Sequence, residues 1–249
     1  EYDANSIAQK HGIDSLLVFL HPTEHWKITR FIETSRLFDY LDFDLVAQAF
    51  AVIHRLHACP ETIEYEFDLY EDFKIKQRQL TPEILAEYPE YKNMEDKIER
   101  LFLIALPLYP GKVLCHNDSM YANLLVEKLD GGGERVHLID WEYAGMCEPI
   151  DDLAAFAVSS PYNLEETKRA VEVWYGRTPS LCEEFYAHTY IAFNALYWIG
   201  WAILRKAEGN PVGGNFINDF FRFARCGDYA EQLFAQALAE GLPFAVESS

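Results

Sequence analysis

The sequence predicts an α+β fold in which the strands precede residue 141 and the rest of the chain is mainly helical. Two apolar, partly β-branched runs, Leu16–Leu20 and Trp26–Ile32, flank a short turn-forming stretch. A second pair of apolar runs flanks a glycine turn at Gly131–Gly133, as in a β-hairpin. After Pro149 the apolar residues recur at helical spacing almost to the end of the chain.

Composition limits the class of protein and its partners. At 249 residues, 50% of them hydrophobic, the chain is long enough for one large folded domain or two small ones. The formal net charge of −19 argues against nucleic acid or an anionic membrane surface and favours a cationic small molecule as partner. The five scattered cysteines favour neither a zinc site nor a secreted disulfide framework. Because we find no membrane-spanning apolar run and no signal peptide, we expect no membrane insertion and a cytoplasmic location.

The first elements are a helix, the strand pair and a second helix. The first helix is predicted over Tyr2–Lys10, where a following glycine supplies a stop. The second is predicted over Leu45–His57, in which six apolar residues share one face. Its histidines, His54 and His57, are predicted to be packing residues, because they lack the acidic or cysteine neighbours of a metal site. The charged stretch Glu61–Lys97 is predicted to form helices joined by loops at two prolines.

The glycine turn joins two strands with polar residues at their outer ends. It places Asn123 at the start of the first strand and Asp140 at the end of the second, so residues distant in sequence come close in space. Four helices are predicted after this hairpin: Ile150–Val158, Leu164–Trp174, Leu181–Ala207 and Phe216–Ala239.

The residues around this hairpin include the groups that a phosphoryl-transfer site needs. Asp118 can accept the proton of an attacking hydroxyl, while the Asn123 amide oxygen and the Asp140 carboxylate can hold Mg²⁺ against nucleotide phosphates. The alternative is a polar loop capped by turn-forming Asn and Asp residues. The spacing of the three residues and the hairpin between them favour the functional interpretation, and we predict a small-molecule kinase.

The motif H-x-D-x-x-x-x-N, which begins at His116, and the run I-D-W-E-Y-A-G, which begins at Ile139, together resemble a known family. They resemble the choline/ethanolamine kinases of the aminoglycoside-phosphotransferase superfamily, and the bacterial choline kinases in particular. The resemblance implies a protein-kinase-like bilobal fold with a partial N-terminal β lobe and a mainly helical C-terminal lobe. Residues 1–33 would be the remnant of the nucleotide lobe with its hinge, and residues 34–249 the catalytic and substrate-binding lobe.

The same resemblance implies a role for each matching residue, with ATP as co-substrate. Asp118 matches the catalytic base, and Asn123 and Asp140 match ligands of Mg²⁺. The remaining matches are supporting residues: Glu142 as an acid near the metal and the substrate, His116 and Asp152 as structural supports, and the backbone of Phe31 and Ile32 as the adenine contact.

Trp198 and Trp201 match a tryptophan pair that in the choline kinases forms an aromatic box around a quaternary ammonium group. Such a group makes no conventional hydrogen bond, so its recognition depends on nearby carboxylates and on aromatic faces, each contributing roughly 0.5–2 kcal/mol. Residues three apart on a helix share a face, so the two rings can form two walls of one site. The alternative interpretation is ordinary core packing.

Two departures from the family pattern leave alternatives open. Where the family often has a glutamate seven residues after the position of Asp152, this chain has Ser159. The acceptor alternatives are therefore thiamine, ethanolamine, an amino sugar or an aminoglycoside. The family's glycine-rich phosphate loop and strand lysine would lie upstream of Glu1, which itself matches the helix glutamate that pairs with that lysine. A third alternative is a non-catalytic binding module or an inactive fragment.

Overall fold

The computed structural model describes residues 1–24, 26–33, 35–108 and 111–242, which form two compact units. Unit 1 comprises Glu1–Phe67 and Gly111–Thr178, and unit 2 comprises Asp68–Pro110 and Pro179–Ser249. The predicted boundary at residue 33 separates two functional lobes of an enzyme. A division of the chain into compact units does not test that boundary. The division therefore stays a prediction.

Unit 1 begins with a helix that packs on a pair of strands. Helix α1 (Tyr2–Lys10) packs on β1 (Leu17–Leu20), which pairs antiparallel with β2 (Lys27–Thr29). The helix has the predicted bounds, and Gly12 then turns the chain with a left-handed φ of 63°, which glycine adopts at low cost. The predicted second strand, Trp26–Ile32, is confirmed only over the three residues of β2.

Strand β5 (Leu124–Lys128) lies at the centre of a three-stranded antiparallel sheet, between β3 (Ser35–Leu37) and β6 (Glu134–Leu138). The predicted hairpin of β5 and β6 is confirmed. Its turn requires glycine, since Gly132 and Gly133 have φ values of 84° and 88°. The sequence does not predict β3, because this strand has three residues and no apolar alternation.

The hairpin brings two candidate residues to the same end of this sheet. Leu124 pairs with Leu138 at that end, and the N–H of Ile139 donates to the carbonyl oxygen of Asn123 at 3.0 Å. Asp140 follows Ile139 directly. Strand pairing therefore sets the position of Asp140 next to Asn123.

A two-stranded antiparallel ladder carries the candidate catalytic loop. It consists of β4 (Val113–Cys115) and β7 (Gly145–Cys147), with Cys115 paired with Gly145. At Gly145 the chain passes so close to Tyr65 that a Cβ atom would lie 2.8 Å from the tyrosine ring. The absence of a side chain at this position therefore permits the close approach.

Three helices complete the described part of unit 1: α2 (Phe43–His57), α6 (Ile150–Val158) and α7 (Leu164–Tyr175). Six buried apolar residues of α2 pack against β4, β6 and α7. Each fully buried Val, Leu, Ile or Phe side chain contributes about 1.5–3 kcal/mol to the free energy of folding. Helix α6 is buried along its whole length, so its polar residues, including Asp152, lie inside the unit.

Unit 2 is organised around α8 (Leu181–Ala207), whose bounds match the prediction. A capping box between Ser180 and Glu183 fixes its start, and Phe193 within it stacks on Phe102 with ring centroids 3.8 Å apart. The other helices in the described part of this unit are α3 (Leu69–Gln77), α4 (Pro82–Leu85), α5 (Tyr91–Ala105), α9 (Phe216–Ala224) and α10 (Cys226–Ala239).

The prediction of one helix over Phe216–Ala239 is wrong at one point, because a turn at Arg225 separates α9 from α10. Helix α10 packs against both α8 and α5. Near its start, Gly227 lies so close to α5 that a Cβ atom would be 3.0 Å from Cγ1 of Ile98. The missing side chain of Gly227 permits this approach, which apolar spacing along the sequence does not reveal.

The described elements confirm the α+β class. Their strands all lie before Pro149, and only helices follow it. Among these described helices, none is both long and apolar enough to cross a lipid bilayer.

Candidate active site

The candidate catalytic loop follows β4 and is fixed at its base by a buried histidine. Nδ1 of His116 accepts the N–H of Asp118 at 3.3 Å, and its Nε2 lies 3.0 Å from the carbonyl oxygen of Ile139. These two contacts assign the ring proton to Nε2 and describe a neutral imidazole. Burial lowers the pKa of His116, in agreement with the neutral form. His116 therefore links the loop to the chain segment that carries Asp140.

The carboxylate of Asp152 holds the backbone of this loop. It is fully buried on α6 and accepts the N–H groups of His116 at 3.0 Å and Asn117 at 2.7 Å. Asn117 has a left-handed φ of 63°, a conformation that asparagine adopts more readily than most non-glycine residues. The hydroxyl of Ser119 donates to the carbonyl oxygen of Asp152 at 2.9 Å. These are the contacts that the predicted supporting role of Asp152 requires.

His57, predicted to be a packing residue, is instead the ionic partner of Asp152, with Nε2 lying 2.8 Å from Oδ2. Burial would lower the pKa of His57, but hydrogen bonds with Asp152 and Cys115 raise it to about 10. Burial likewise favours a higher pKa for Asp152, but the hydrogen bond and charge of His57 outweigh it and lower that pKa. Both groups are therefore charged at neutral pH. Sequence spacing could not reveal the pair, because 95 positions separate its members.

Asp118 and Asn123 are in direct contact. Nδ2 of Asn123 donates to Oδ2 of Asp118 at 2.7 Å and to its carbonyl oxygen at 2.9 Å. Because the amide nitrogen is used in this way, the amide oxygen is available as a ligand. Burial raises the pKa of Asp118 to about 6; the hydrogen bond from Asn123 opposes this rise, and the charges of Asp140 and Glu142 add to it. This concentration of negative charge favours the binding of a cation.

The oxygen groups at this site fit a hard divalent cation. Asp140 follows β6 with a φ of 68°, and its half-exposed carboxylate lies 4.0 Å from Nζ of Lys27. Carboxylate and amide oxygens, such as those of Asp140 and Asn123, are the ligands that Mg²⁺ prefers in proteins. The assignment of these two residues as metal ligands stays a prediction.

Glu142 lies next to this acidic site. Its exposed carboxylate contributes to the raised pKa values of Asp118 and Tyr143. The neighbouring Trp141 is buried, and its Nε1 donates to Oδ2 of Asp14 at 3.1 Å, which anchors this segment. The role of Glu142 in substrate binding stays a prediction.

A cavity of about 470 Å³ opens within unit 1 beside the site. Phe31, Ile32 and Asp140 all line it. Ile32 is buried, whereas the side chain of Phe31 is 84% exposed. The residues predicted to contact adenine and one predicted metal ligand therefore share a single cavity.

Trp198 and Trp201 form an aromatic pair on α8, within unit 2. Their ring centroids lie 5.4 Å apart and their planes are inclined by 85°. Both side chains are partly exposed, whereas Ile199 and Ala202 on the same helix are fully buried. This difference favours the predicted binding role of the pair over simple core packing, and the role itself stays a prediction.

A carboxylate and an ammonium group lie beside this pair in unit 2. The ring of Tyr197 is 5.1 Å from that of Trp198, and the Tyr197 hydroxyl donates to Asp72 at 2.5 Å. The ammonium group of Lys76 contacts the same carboxylate at 2.5 Å and lies 4.6 Å from the centroid of the Tyr197 ring. Lys76 is thus a cation held between an aromatic face and an acid within unit 2.

Ser159 lies at the position where the family often has a glutamate. Ser159 ends α6, and its hydroxyl donates to the carbonyl oxygen of Ala155 at 2.9 Å.

Comparison with known proteins gives a family match and a relative in sequence. The sequence model of the phosphotransferase enzyme family (APH) matches residues 33–185. The LicA protein of Haemophilus influenzae is 24% identical over 226 residues, which cover 86% of this chain and 82% of that protein.

Solved structures that are similar over more than nine-tenths of the chain include the following two. A choline/ethanolamine kinase family protein from Mesorhizobium loti has a TM-score of 0.74 and 25% identity, covering 96% of this chain and 82% of that protein. The choline kinase LicA from Streptococcus pneumoniae has a TM-score of 0.71 and 20% identity, covering 92% of this chain and 79% of that protein. These similarities confirm the predicted fold class.

Proposed function

Because this chain belongs to the phosphotransferase enzyme family, we propose that it transfers the γ-phosphate of ATP to the hydroxyl group of choline or a related amino alcohol. The contact between Asp118 and Asn123, in the loop that the buried Asp152 holds, is the observation that carries this proposal. The similarity to a choline/ethanolamine kinase family protein supports the class of acceptor.

In the proposed reaction the acceptor oxygen forms a bond to the γ-phosphorus, the bond from that phosphorus to ADP breaks, and Asp118 accepts the hydroxyl proton. Asn123 and Asp140 would hold Mg²⁺, which would supply neutralisation of phosphate charge. The remaining contribution is positioning, because His116 and Asp152 hold the loop in one conformation before the substrate arrives. No covalent enzyme intermediate is needed.

The proposed acceptor site uses the aromatic pair of unit 2. Two inclined rings offer π faces to a trimethylammonium group. Such a group has no N–H donor and no lone pair, so a pocket lined with hydrogen-bonding groups would leave those groups unpaired. The formal net charge of −19 favours the approach of such a cation at low ionic strength. Primary amines compete less well for such faces, because they lose their hydrogen bonds to water.

Replacing Trp198 with Ala is expected to raise the KM for choline about 2–30-fold, because one aromatic face is worth roughly 0.5–2 kcal/mol. Steady-state kinetics at saturating ATP measure this effect. Trp198→Phe keeps an aromatic face and serves as the matched variant, with a smaller increase expected. An unchanged KM in Trp198→Ala would remove this residue from the acceptor site.

The proposed function is tested by an acceptor panel on the full natural chain, with ADP release as the readout. The panel contains choline, ethanolamine, thiamine, glucosamine and an aminoglycoside. We expect the highest kcat/KM with choline. A strong preference for an acceptor without a quaternary nitrogen would exclude choline, and no ADP release with any acceptor would favour a non-catalytic binding module.

A further inference from the structure

Three side chains with different ligand atoms converge where α1 and α2 end. His11 caps the end of α1, and Cys59 and Glu61 follow the end of α2. Their imidazole nitrogen, thiol sulfur and carboxylate oxygen all lie within 4.8 Å of one another. Nε2 of His11 lies 2.8 Å from Oε2 of Glu61, although 50 positions separate the two residues. The proposed phosphoryl transfer uses none of the three, so their convergence calls for another explanation.

The backbone around this group is fixed by the two helices. Nη2 of Arg55, on α2, donates to the carbonyl oxygen of His11 at 3.2 Å and so ties the end of α1 to α2. Sγ of Cys59 donates to the carbonyl oxygen of Arg55 at 3.5 Å. Pro60 restricts the backbone between Cys59 and Glu61. Folding therefore holds the three side chains near one another, which lowers the entropy cost of bringing them onto one ligand.

The three ligand types fit a zinc ion. Zn²⁺ binds thiolate, imidazole and carboxylate groups, whereas Mg²⁺ prefers oxygen ligands. With metal–ligand bonds of about 2.0–2.3 Å, the ligand atoms of a tetrahedral zinc site lie roughly 3.3–3.8 Å apart. Small side-chain movements therefore convert the observed arrangement into a zinc site. The side chains of His11 and Glu61 are 31% and 25% exposed, so an ion can reach them from solvent.

The position already attracts a cation. The ammonium group of Lys10 pairs with Oε1 of Glu61, and hydrogen bonds from Lys10 and His11 lower the pKa of Glu61 to about 2. Because the Lys10 side chain is 67% exposed, this pair adds little to stability and an ion can displace it. Burial and the charge of Glu61 raise the pKa of the Cys59 thiol, while the charges of Arg55 and Lys10 oppose the rise. A metal ion must therefore displace the thiol proton.

A second group of such atoms, those of His57, Cys115 and Asp152, already has a structural role. Its carboxylate accepts two backbone N–H groups of the catalytic loop and pairs with the imidazolium group of His57. Cys115 and Asp152 are also fully buried. The bonds that a metal ion would need are therefore in use in this second group, whereas those of the first group are accessible.

We propose that His11, Cys59 and Glu61 form a Zn²⁺ site, in which a water molecule is the fourth ligand. The metal forms bonds to a ring nitrogen of His11, Sγ of Cys59 and a carboxylate oxygen of Glu61. The thiol proton passes to water, and no atom is oxidised or reduced. The ion then joins the end of α1 to the segment after α2, so it stabilises unit 1 and takes no part in the phosphoryl transfer.

The inference is tested by titration of the metal-free, full natural chain with Co²⁺, whose absorption spectrum reports its ligands. A four-coordinate site with a thiolate ligand gives visible bands and a near-ultraviolet thiolate band. We expect these bands to saturate at one equivalent of Co²⁺. An excess of Zn²⁺ should abolish them and raise the Tm. Co²⁺ bound by Asn123 and Asp140 gives no thiolate band, because both residues supply oxygen atoms.

Cys59→Ser is expected to remove the thiolate band and to raise the Kd for Co²⁺ at least about 100-fold, since loss of a residue that only orients a ligand already costs about 10–100-fold. The serine hydroxyl can still donate to the carbonyl oxygen of Arg55, so the metal-free Tm should not change. His11→Gln and Glu61→Gln keep the thiol and should raise the Kd to a similar extent. These two variants test the site independently of any effect of Cys59→Ser on folding.

Cys182→Ser is the matched control, because Cys182 is also a partly buried free cysteine but lies on α8 in unit 2. Its Co²⁺ spectrum and Kd should equal those of the wild type. A wild type without the thiolate band would overturn the inference. A band that persists in Cys59→Ser, or an unchanged Kd in both glutamine variants, would also overturn it. None of these measurements depends on turnover, so the inference and the proposed function can fail separately.

Discussion

Replacing Asp118 with Asn is expected to lower kcat about 10²–10⁴-fold, because an amide cannot accept the proton of the acceptor hydroxyl. The two side chains have the same shape, and the new amide oxygen can still accept the 2.7 Å hydrogen bond from Asn123. The fold should therefore survive. ADP release measures turnover, and thermal unfolding measures whether the protein remains folded.

Asp130→Asn makes the same chemical change at an exposed acid in the hairpin turn, and it provides the control. Its turnover should be close to that of the wild type. If Asp118→Asn retained near wild-type turnover, Asp118 would not be the base. A large fall in Tm for Asp118→Asn would instead attribute the lost activity to unfolding.

The second large effect is expected from Asp152→Asn, which should lower the free energy of unfolding by about 3–5 kcal/mol. The substitution leaves the imidazolium group of His57 buried without its charge partner. It also removes one of the two carboxylate oxygens that accept the N–H groups of His116 and Asn117. Urea denaturation measures the loss, and kcat should fall with it because the catalytic loop is released.

Glu172→Gln, at an exposed acid on α7, is the control for this effect and should leave the unfolding free energy almost unchanged. If Asp152→Asn were equally harmless, the buried carboxylate would not hold the loop.

The ion pair between His57 and Asp152 should also make the stability of the protein depend on pH. The folded-state pKa of His57, about 10, exceeds its unfolded value near 6.5. Its charge therefore stabilises the protein fully below the unfolded pKa, and this contribution is lost as pH rises towards the folded pKa. The stability difference between the wild type and His57→Gln should be larger at about pH 6 than at about pH 9. A difference that does not vary with pH would show that the histidine is not charged.

Long elements with a repeating apolar pattern could be predicted from the sequence, and short ones could not. The bounds of α8 follow from helical spacing over 27 residues and from Ser180, which begins its capping box. By contrast, β3 and β7 have three residues each, too few for an alternating pattern. The turn at Arg225 depends on contacts between helices, which no local pattern contains.

The candidate site, like the fold, could be predicted only in part from the sequence. Asp118 and Asn123 are five positions apart in one loop, and a recognisable hairpin leads from there to Asp140. His57 could not be assigned in this way, because its partner Asp152 is 95 positions away. The contact of Lys27 with Asp140 likewise depends on how β2 lies in space.

The left-handed backbone at Asn117 and Asp140 restricts how this enzyme can be altered. Among the described non-glycine residues these two have positive φ, which costs other L-residues roughly 1–2 kcal/mol. Glycine would relieve that cost, but at position 117 it would remove the amide that donates to the carbonyl oxygen of Tyr143 at 3.0 Å. Substitutions at either position are therefore limited twice: the new residue must adopt the left-handed backbone conformation, and its side chain must replace the lost contacts. Directed evolution of a new acceptor should keep both codons constant and randomise positions around the aromatic pair on α8.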